Sequence, residues 1–166
     1  MAANQERNFY QEAAGLLATA RAGTLASTTP AGVPHAALVT PAPAADGAPI
    51  LLLSDLAAHT RNLRANPACA LLITGAPMDE NPQTAPRLLL SGTARIITDS
   101  TACATAREHF LRIHPYAAQY AGFADFNLWR LEVNDAHYVG GFAAASRLRL
   151  AALQHEINRI FEKFSG

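Results

Sequence analysis

Residues 51–73 read LLLSDLAAHTRNLRANPACALLI: an apolar run, a polar turn, a helical stretch and a second apolar run in direct succession. Ile50 to Leu53 has the composition of a buried strand, and Ala68 to Gly75 returns to strand after Pro67 ends the helix. Between them, Ser54 to Pro67 predicts a turn leading into a short helix, with Asp55 or Thr60 as its N-cap. That turn places a hydroxyl, an imidazole and a guanidinium at the first turn of a helix. A helix start offers backbone N–H groups without an intrahelical acceptor, so a cation beside it completes an anion site. Thr60 can donate its hydroxyl and Arg61 can pair with phosphate oxygens. A capped surface helix with no ligand has the same local pattern.

Upstream, Phe9, Ala13, Leu16, Leu17 and Ala20 share one helical face, and Arg21 to Gly23 ends that helix. Thr24 to Thr28 predicts a strand closed by Pro30, Ala31 and Gly32, and Pro34 to Thr40 a second strand. Asp46-Gly47, ahead of Ile50 to Leu53, is a hairpin signal. Downstream, Ala76 to Pro86 holds three prolines and predicts an exposed loop, followed by a long strand from Arg87 to Thr98. Gly92 within that strand marks a bulge or a close backbone approach. Asp99 or Ser100 caps a helix carrying Cys103, Ala106, Phe110 and Ile113, which Pro115 stops, and Tyr116 to Phe126 predicts a further short helix and loop. Leu128 to Val133 predicts a strand, Asn134-Asp135 a turn, and Ala136 to Gly140 a strand pairing back. From Ser146 onward Leu150, Leu153, Ile157, Ile160, Phe161 and Phe164 lie at helical spacing.

Hairpin-linked strands without regular βαβ alternation predict a mainly β, α+β architecture: a small closed or partly closed barrel flanked by helices, in one domain over 1–166. The chain has 166 residues, 13 Lys and Arg against 13 Asp and Glu, and only 16% charged residues. Zero net charge without a basic block argues against nucleic-acid binding, where clustered Lys and Arg dominate affinity. A charged fraction below the usual quarter or so points to a large core or to apolar surface hidden against a second copy. Met1 to Arg7 are polar, no secretory pattern follows them, and no apolar run approaches the ~18 residues of a membrane helix. The expectation is a soluble, cytoplasmic protein with Cys69 and Cys103 as reduced core residues.

The 51–73 stretch, RLLLSGTARI at 87–96 and YVGGFAAA at 138–145 together resemble the flavin-binding split-barrel proteins related to pyridoxamine 5′-phosphate oxidase, and among them the haem-utilisation branch. The resemblance spans roughly Thr24 to Phe142. It implies a six-stranded antiparallel split β-barrel that forms a homodimer, with FMN in clefts at the subunit interface and a small-molecule substrate beside it. It further implies that Ser54, His59, Thr60 and Arg61, with Asn62 beside them, hold the FMN phosphate, and that Arg87 reaches the flavin ring. His35 stands where those enzymes carry a basic residue. Ala143 and Ala144 follow Phe142 where the haem branch has a glycine and a cation, and nothing from Glu156 to Gly166 could ligate iron, although His155 precedes it. Three functions are consistent with this resemblance: an FMN-dependent oxidoreductase, a haem-binding or haem-degrading protein, and a non-catalytic flavin carrier.

The remaining candidates read as structural. His109 and His114, five apart around a helix end, suit an exposed position and a C-terminal cap better than a shared metal site. His137 and Tyr138 alternate faces. Trp129 suits the core or a dimer contact, Asp125 and Glu132 stand as isolated acids, and no metal site or catalytic acid or base emerges.

Overall fold

The computed structural model describes residues 8–44, 46–141 and 144–164. Phe142 and Ala143 of the Gly-Gly-Phe motif lie outside the described residues, as does the side chain of Phe164. The elements in chain order are α1 (Phe9–Thr19), β1 (Gly23–Thr28), β2 (Pro34–Val39), β3 (Pro41–Pro43), β4 (Pro49–Ser54), α2 (Ala58–Ala65), β5 (Ala68–Thr74), β6 (Arg87–Ile96), α3 (Ser100–Ile113), β7 (Phe126–Val139), β8 (Ala145–Leu148) and α4 (Leu150–Phe164). Short 3-10 turns cover Pro82–Thr84 and Pro115–Gln119.

All strands belong to one antiparallel sheet in the order β2-β1-β5-β6-β7-β4-β3, with β8 added to β7. The two ends of this order, β2 and β3, are one stretch of chain interrupted only at Thr40. The sheet therefore curls until its edges meet, as expected of a split barrel. Eight strand segments replace the six expected, because one pass is broken at Thr40 and β8 is extra.

Buried alternating residues of the strands fill the interior: Leu25, Leu71, Ile73, Leu88, Leu90 and Leu131 are each at most 1% exposed. Helices α1 and α4 pack against each other and over this core, burying Ala13, Ala14, Leu17, Leu153 and Ile157. Asn8 caps α1, its side chain accepting from the backbone N–H of Tyr10 and Gln11, each at 3.1 Å. A smaller cluster of Ile50, Phe110, Ala117 and Leu128 lies beneath α3, which Asp99 caps through the N–H of Ala102 at 2.8 Å. An Asp46-Gly47 hairpin forms, with Gly47 at φ +82°, but it joins Pro41–Pro43 to β4, whereas the expected first strand, Pro34 to Thr40, pairs with β1 over Pro34–Val39.

The structure corrects the reading of 126–148. Asn134-Asp135 is not a turn: β7 runs 14 residues through it and pairs with β4, β6 and β8 in succession. Ser91 opposes Asp135 while Gly92 opposes Val133, so Asn134 is the extra residue of a bulge. Turn-forming residues satisfy a bulge equally well, because both need backbone that leaves the regular ladder. Ala136 to Val139 pairs with β6 and with β8, and residues 145–148 form that strand before α4 begins.

Gly92 lies where the expected close approach occurs. A Cβ there would sit 2.0 Å from the Glu132 carbonyl oxygen. Gly92→Ala is expected to destabilise the fold by about 3 kcal/mol, the upper range of overpacking. Gly15→Ala, in α1 with nothing within 4 Å of the new methyl, should stabilise by about 0.5–1 kcal/mol. Denaturant midpoints of the two variants against the parent check both signs.

Candidate functional site at the start of helix 2

The opening in the barrel arises where the stretch 34–43 changes partner. Pro34–Val39 pairs with β1 and Pro41–Pro43 with β4, whereas Leu52 to Ser54 pair with β7 on their other side. Leu38 to Thr40 and Leu52 to Ser54 therefore diverge, and a cleft of about 260 Å³ opens between them. His59 and Ala57 line one wall, and Phe110, Tyr120 and Phe126 the other. Tyr120 and Phe126 pack with tilted rings at 5.0 Å between centroids, and Phe123 meets Phe126 edge-on at 6.3 Å. The exposed side chains of Leu38, Leu56 and Phe123 add to the apolar character of this end of the barrel.

The turn from β4 into α2 is fixed by side chains. Ser54 Oγ donates to Asp125 Oδ2 at 2.6 Å and accepts from the Leu56 N–H at 3.1 Å. Asp55 takes the Arg64 guanidinium at 2.7 Å and the Asn127 amide at 3.1 Å. Arg61 folds back to donate to the Leu56 carbonyl at 2.6 Å. With its proton committed to Asp125, Ser54 shapes the turn. Asp125, read from sequence as an isolated acid, is thus part of this end of the barrel. Its partner lies 71 residues away, and no local pattern marks such a pair.

Neither Asp55 nor Thr60 caps α2. The cap position is Ala57, with no side-chain hydrogen bond to the helix start. Asp55 is spent on Arg64 and Asn127, and Thr60 lies inside the first turn, three residues past the cap. The N–H groups of that turn are left for some other acceptor. Thr60 is fully buried, yet its hydroxyl has no hydrogen-bond partner. Helix side chains lean toward the N-terminus, so this hydroxyl leans toward the same uncapped turn. Asn62 is buried and donates to Ser27 Oγ at 3.2 Å, and Ser27 is the register partner of His35. Nδ1 of His35 is buried without a partner. Burial, and then the neighbouring His35, hold His59 below the ordinary imidazole range.

Six of the seven residues singled out from sequence, His35, Ser54, His59, Thr60, Arg61 and Asn62, thus belong to α2, its approach turn and the strand beneath. Arg87 does not join them within one chain. It pairs with Thr74 and Val139, at the opposite end of β6 and β7 from Phe126 and Ser54, and donates to the carbonyls of Gln83 at 3.1 Å and Ala85 at 3.2 Å.

Of the other histidines, His155 is exposed on α4. His109 is half-buried rather than exposed, with Nε2 on the Pro43 carbonyl and Nδ1 on Arg112, both at 2.6 Å. His114 ends α3 as expected, but fully buried, with Nε2 on the Pro41 carbonyl at 2.9 Å. His137 is exposed and Tyr138 buried. Trp129 is a core residue, 3% exposed, with Arg64 over its ring at 5.6 Å. Both cysteines are free and only partly buried, and burial pushes the Cys69 thiol up to about 11. Among the described residues no three His, Cys, Asp or Glu side chains gather as a metal site, and no helix is long and apolar enough to cross a membrane.

Residues 9–140 match the family model described as pyridoxamine 5′-phosphate oxidase. The chain belongs to this family. Its similarity within the pyridoxamine 5′-phosphate oxidase family runs toward haem proteins. It is 40% identical over 114 residues to the chloroplastic non-canonical haem oxygenase HOZ of Arabidopsis thaliana, covering 69% of this chain and 34% of the relative. A haem-binding protein from Mycobacterium smegmatis superposes with a TM-score of 0.81 at 30% identity, covering 90% of this chain and 61% of that one. HutZ, a haem storage protein from Vibrio cholerae, shares the fold with a TM-score of 0.66 at 19% identity, over 77% of this chain and 92% of that one. The chain therefore spans about a third of the length of the plant relative and about three fifths of the mycobacterial one.

Burial also holds His114 below its ordinary value, outweighing the Pro41 bond. The unfolded chain then binds more protons than the native one between the lowered native values of His59 and His114 and about 6.5. Their contribution to stability is complete above that pH and lost as the pH falls through the native values. The urea midpoint is expected to decline from about pH 6.5 downward, and His114→Gln should flatten part of that decline. A midpoint that rises on acidification through this window would contradict the assignment.

Proposed function

We propose that the protein binds FMN, with its phosphate at the start of α2 and its isoalloxazine in the adjoining aromatic cleft, and works as a flavin-dependent oxidoreductase on a small molecule. The observation that carries this reading is the buried, partnerless Thr60 hydroxyl at a helix start with no side-chain cap. An oxyanion there would accept from Thr60, from the first-turn N–H groups and from Arg61, with His35 and His59 completing the cradle and Asn62 holding α2 to β1. Bound FMN would supply the electron transfer. The chain's own residues would position the phosphate, and Phe110, Tyr120 and Phe126 would keep water from the ring.

A homodimer is part of the same proposal. The outward side chains of β2 (Pro34, Ala36, Leu38), β1 (Thr24, Ala26, Thr28), β5 (Ala68, Ala70, Leu72, Thr74) and the centre of β6 (Leu89, Ser91, Thr93) carry no charge. Such a four-strand face suits a second copy of the same surface. Arg87 lies at its margin, so Arg87 would serve the flavin only from the partner subunit. We place the whole chain, 1–166, in one functional unit and, with two free thiols, in the cytoplasm.

A second reading, a haem-binding or haem-degrading protein, is favoured by the plant and mycobacterial relatives. In it His59, which lines the cleft, would meet the iron. His109 and His114 already bond the Pro43 and Pro41 carbonyls. The absorbance spectrum of the protein as isolated, and after addition of FMN or haemin, separates the readings: flavin bands with stoichiometric FMN uptake support the first, and a Soret band without FMN uptake the second. Turnover of a nicotinamide donor by the FMN complex distinguishes an oxidoreductase from a flavin carrier.

Two variants test the geometry. Thr60→Val keeps the volume and removes the hydroxyl, and is expected to weaken FMN binding about tenfold, one charge-assisted hydrogen bond. Ala26→Arg places a charge in the centre of the uncharged face and is expected to convert a dimer into a monomer by light scattering. A parent protein that is already monomeric in dilute solution would overturn the dimer.

A further inference from the structure

We infer that a second ligand site lies in the groove between α3 and the outer face of the sheet, and that it takes an uncharged apolar molecule of one or two rings. The groove and the cleft beside α2 share no lining residue, so this inference does not rest on what the α2 turn holds.

The groove follows from the sequence of α3. Of the 14 residues of that helix only Phe110 is fully buried, packed with Ile50 and Leu128 against the sheet. One and two turns toward the N-terminus, the same side of the helix carries Ala106 and Ala102. Their methyl groups do not fill the space that the phenyl ring fills, and a cavity of about 550 Å³ remains between them and Ala44, Ile50 and Ile97. That volume is within the range of small-molecule sites, and apolar walls of this kind take up small hydrocarbons.

The charge inventory of the lining selects the ligand. Arg130 spends its guanidinium on both carboxylate oxygens of Asp46, one of them at 2.9 Å. His109 has Nε2 on the Pro43 carbonyl and Nδ1 on the Arg112 guanidinium, which uses the one donor and the one acceptor of a neutral imidazole. Phe161 of α4 packs edge-on against that ring at 5.6 Å and fixes this part of the wall. Asp99 accepts the Ala102 N–H as the cap of α3, where the helix dipole offsets its charge. The remaining polar side chains of the lining, Thr101 and Thr105, are neutral. No charge in the lining is left to receive a carboxylate, a phosphate or an ammonium group. A charged group brought into the groove loses water without gaining a partner. FMN and haem, both anionic, therefore fall outside the class of molecule that this groove takes.

The test uses the full-length protein and three probes that share one ring system: indole, which is neutral, tryptamine, which is a cation, and indole-3-acetate, which is an anion. Backbone amide resonances of α3 are followed by NMR as each is added. Indole is expected to shift the amides around Ala102 and Ala106 with a dissociation constant about tenfold or more below those of the two charged probes. Ala106→Leu extends a side chain into the groove and is expected to abolish these shifts, with a denaturant midpoint at or above that of the parent. Should that variant fail to fold, Ala102→Leu makes the same test at an exposed position one turn away. Indole shifts that persist in either folded variant overturn the site, as does the absence of shifts in α3 in the parent. Equal or tighter binding of a charged probe overturns the ligand class. Prior addition of FMN is expected to leave indole binding unchanged; competition between them puts the ring in the cleft beside α2 and overturns the inference. Indole affinity that falls as the protein is concentrated gives the groove to a second copy of the chain, which also overturns it.

Discussion

One stretch of chain, Pro34 to Pro43, must satisfy both edges of a curled sheet, and the rest of the architecture follows from its inability to do so along its whole length. Its first part pairs with β1 and its last with β4, so the hydrogen-bonded wall parts at Thr40. Backbone groups next to such a parting need other partners or water. The parting is covered by α2 on one side and by aromatic residues of α3 and of the segment before β7 on the other. Cleft and helix start are therefore adjacent of necessity: α2 leaves β4 at Ser54, where the strand has lost one neighbour.

The site was legible where its determinants are local. The order strand, turn, helix, proline, strand is written in 51–73, and the proposal of an anion site at Thr60 and Arg61 starts from residue type and position alone. Gly92 announced a close approach without naming Glu132 as the other party. What could not be read depends on chain segments far apart. Ser54 and Asp125 meet because β4 pairs with the start of β7, and Asp55 is withdrawn from capping by Arg64 and Asn127. The same limit explains Asn134-Asp135, whose composition fits a turn and a bulge alike; the strand beyond it, β8, decides between them by giving β7 something to pair with.

Sixteen per cent charged residues looked unusual for a soluble chain, and the fold shows where the missing charge would have been. The strands that alternate properly do so between a buried interior and an exterior of alanine, threonine, serine and leucine. The charged side chains stand at the margins instead: Arg87, Arg95, Asp135 and Arg147 rim the face. Such a distribution is what the proposed homodimer calls for, because interface cores are depleted of charge and their rims are polar.

The length of β7 has a consequence for how the chain reaches this state. β4 is finished at residue 54, yet its principal neighbour begins at residue 126, and until β7 arrives its only partner is the three-residue β3. Sheets dominated by such distant pairings fold slowly, because the entropy of closing the loop is spent before any contact repays it. The segment that shapes the cleft, from β4 through Ser54 to Asp125, is therefore among the last to assemble. During synthesis the apolar run Ile50 to Leu53 waits, unpaired on one edge, until some seventy further residues have been made. The part of the molecule that carries the candidate site is also the part that exposes it longest to misassembly.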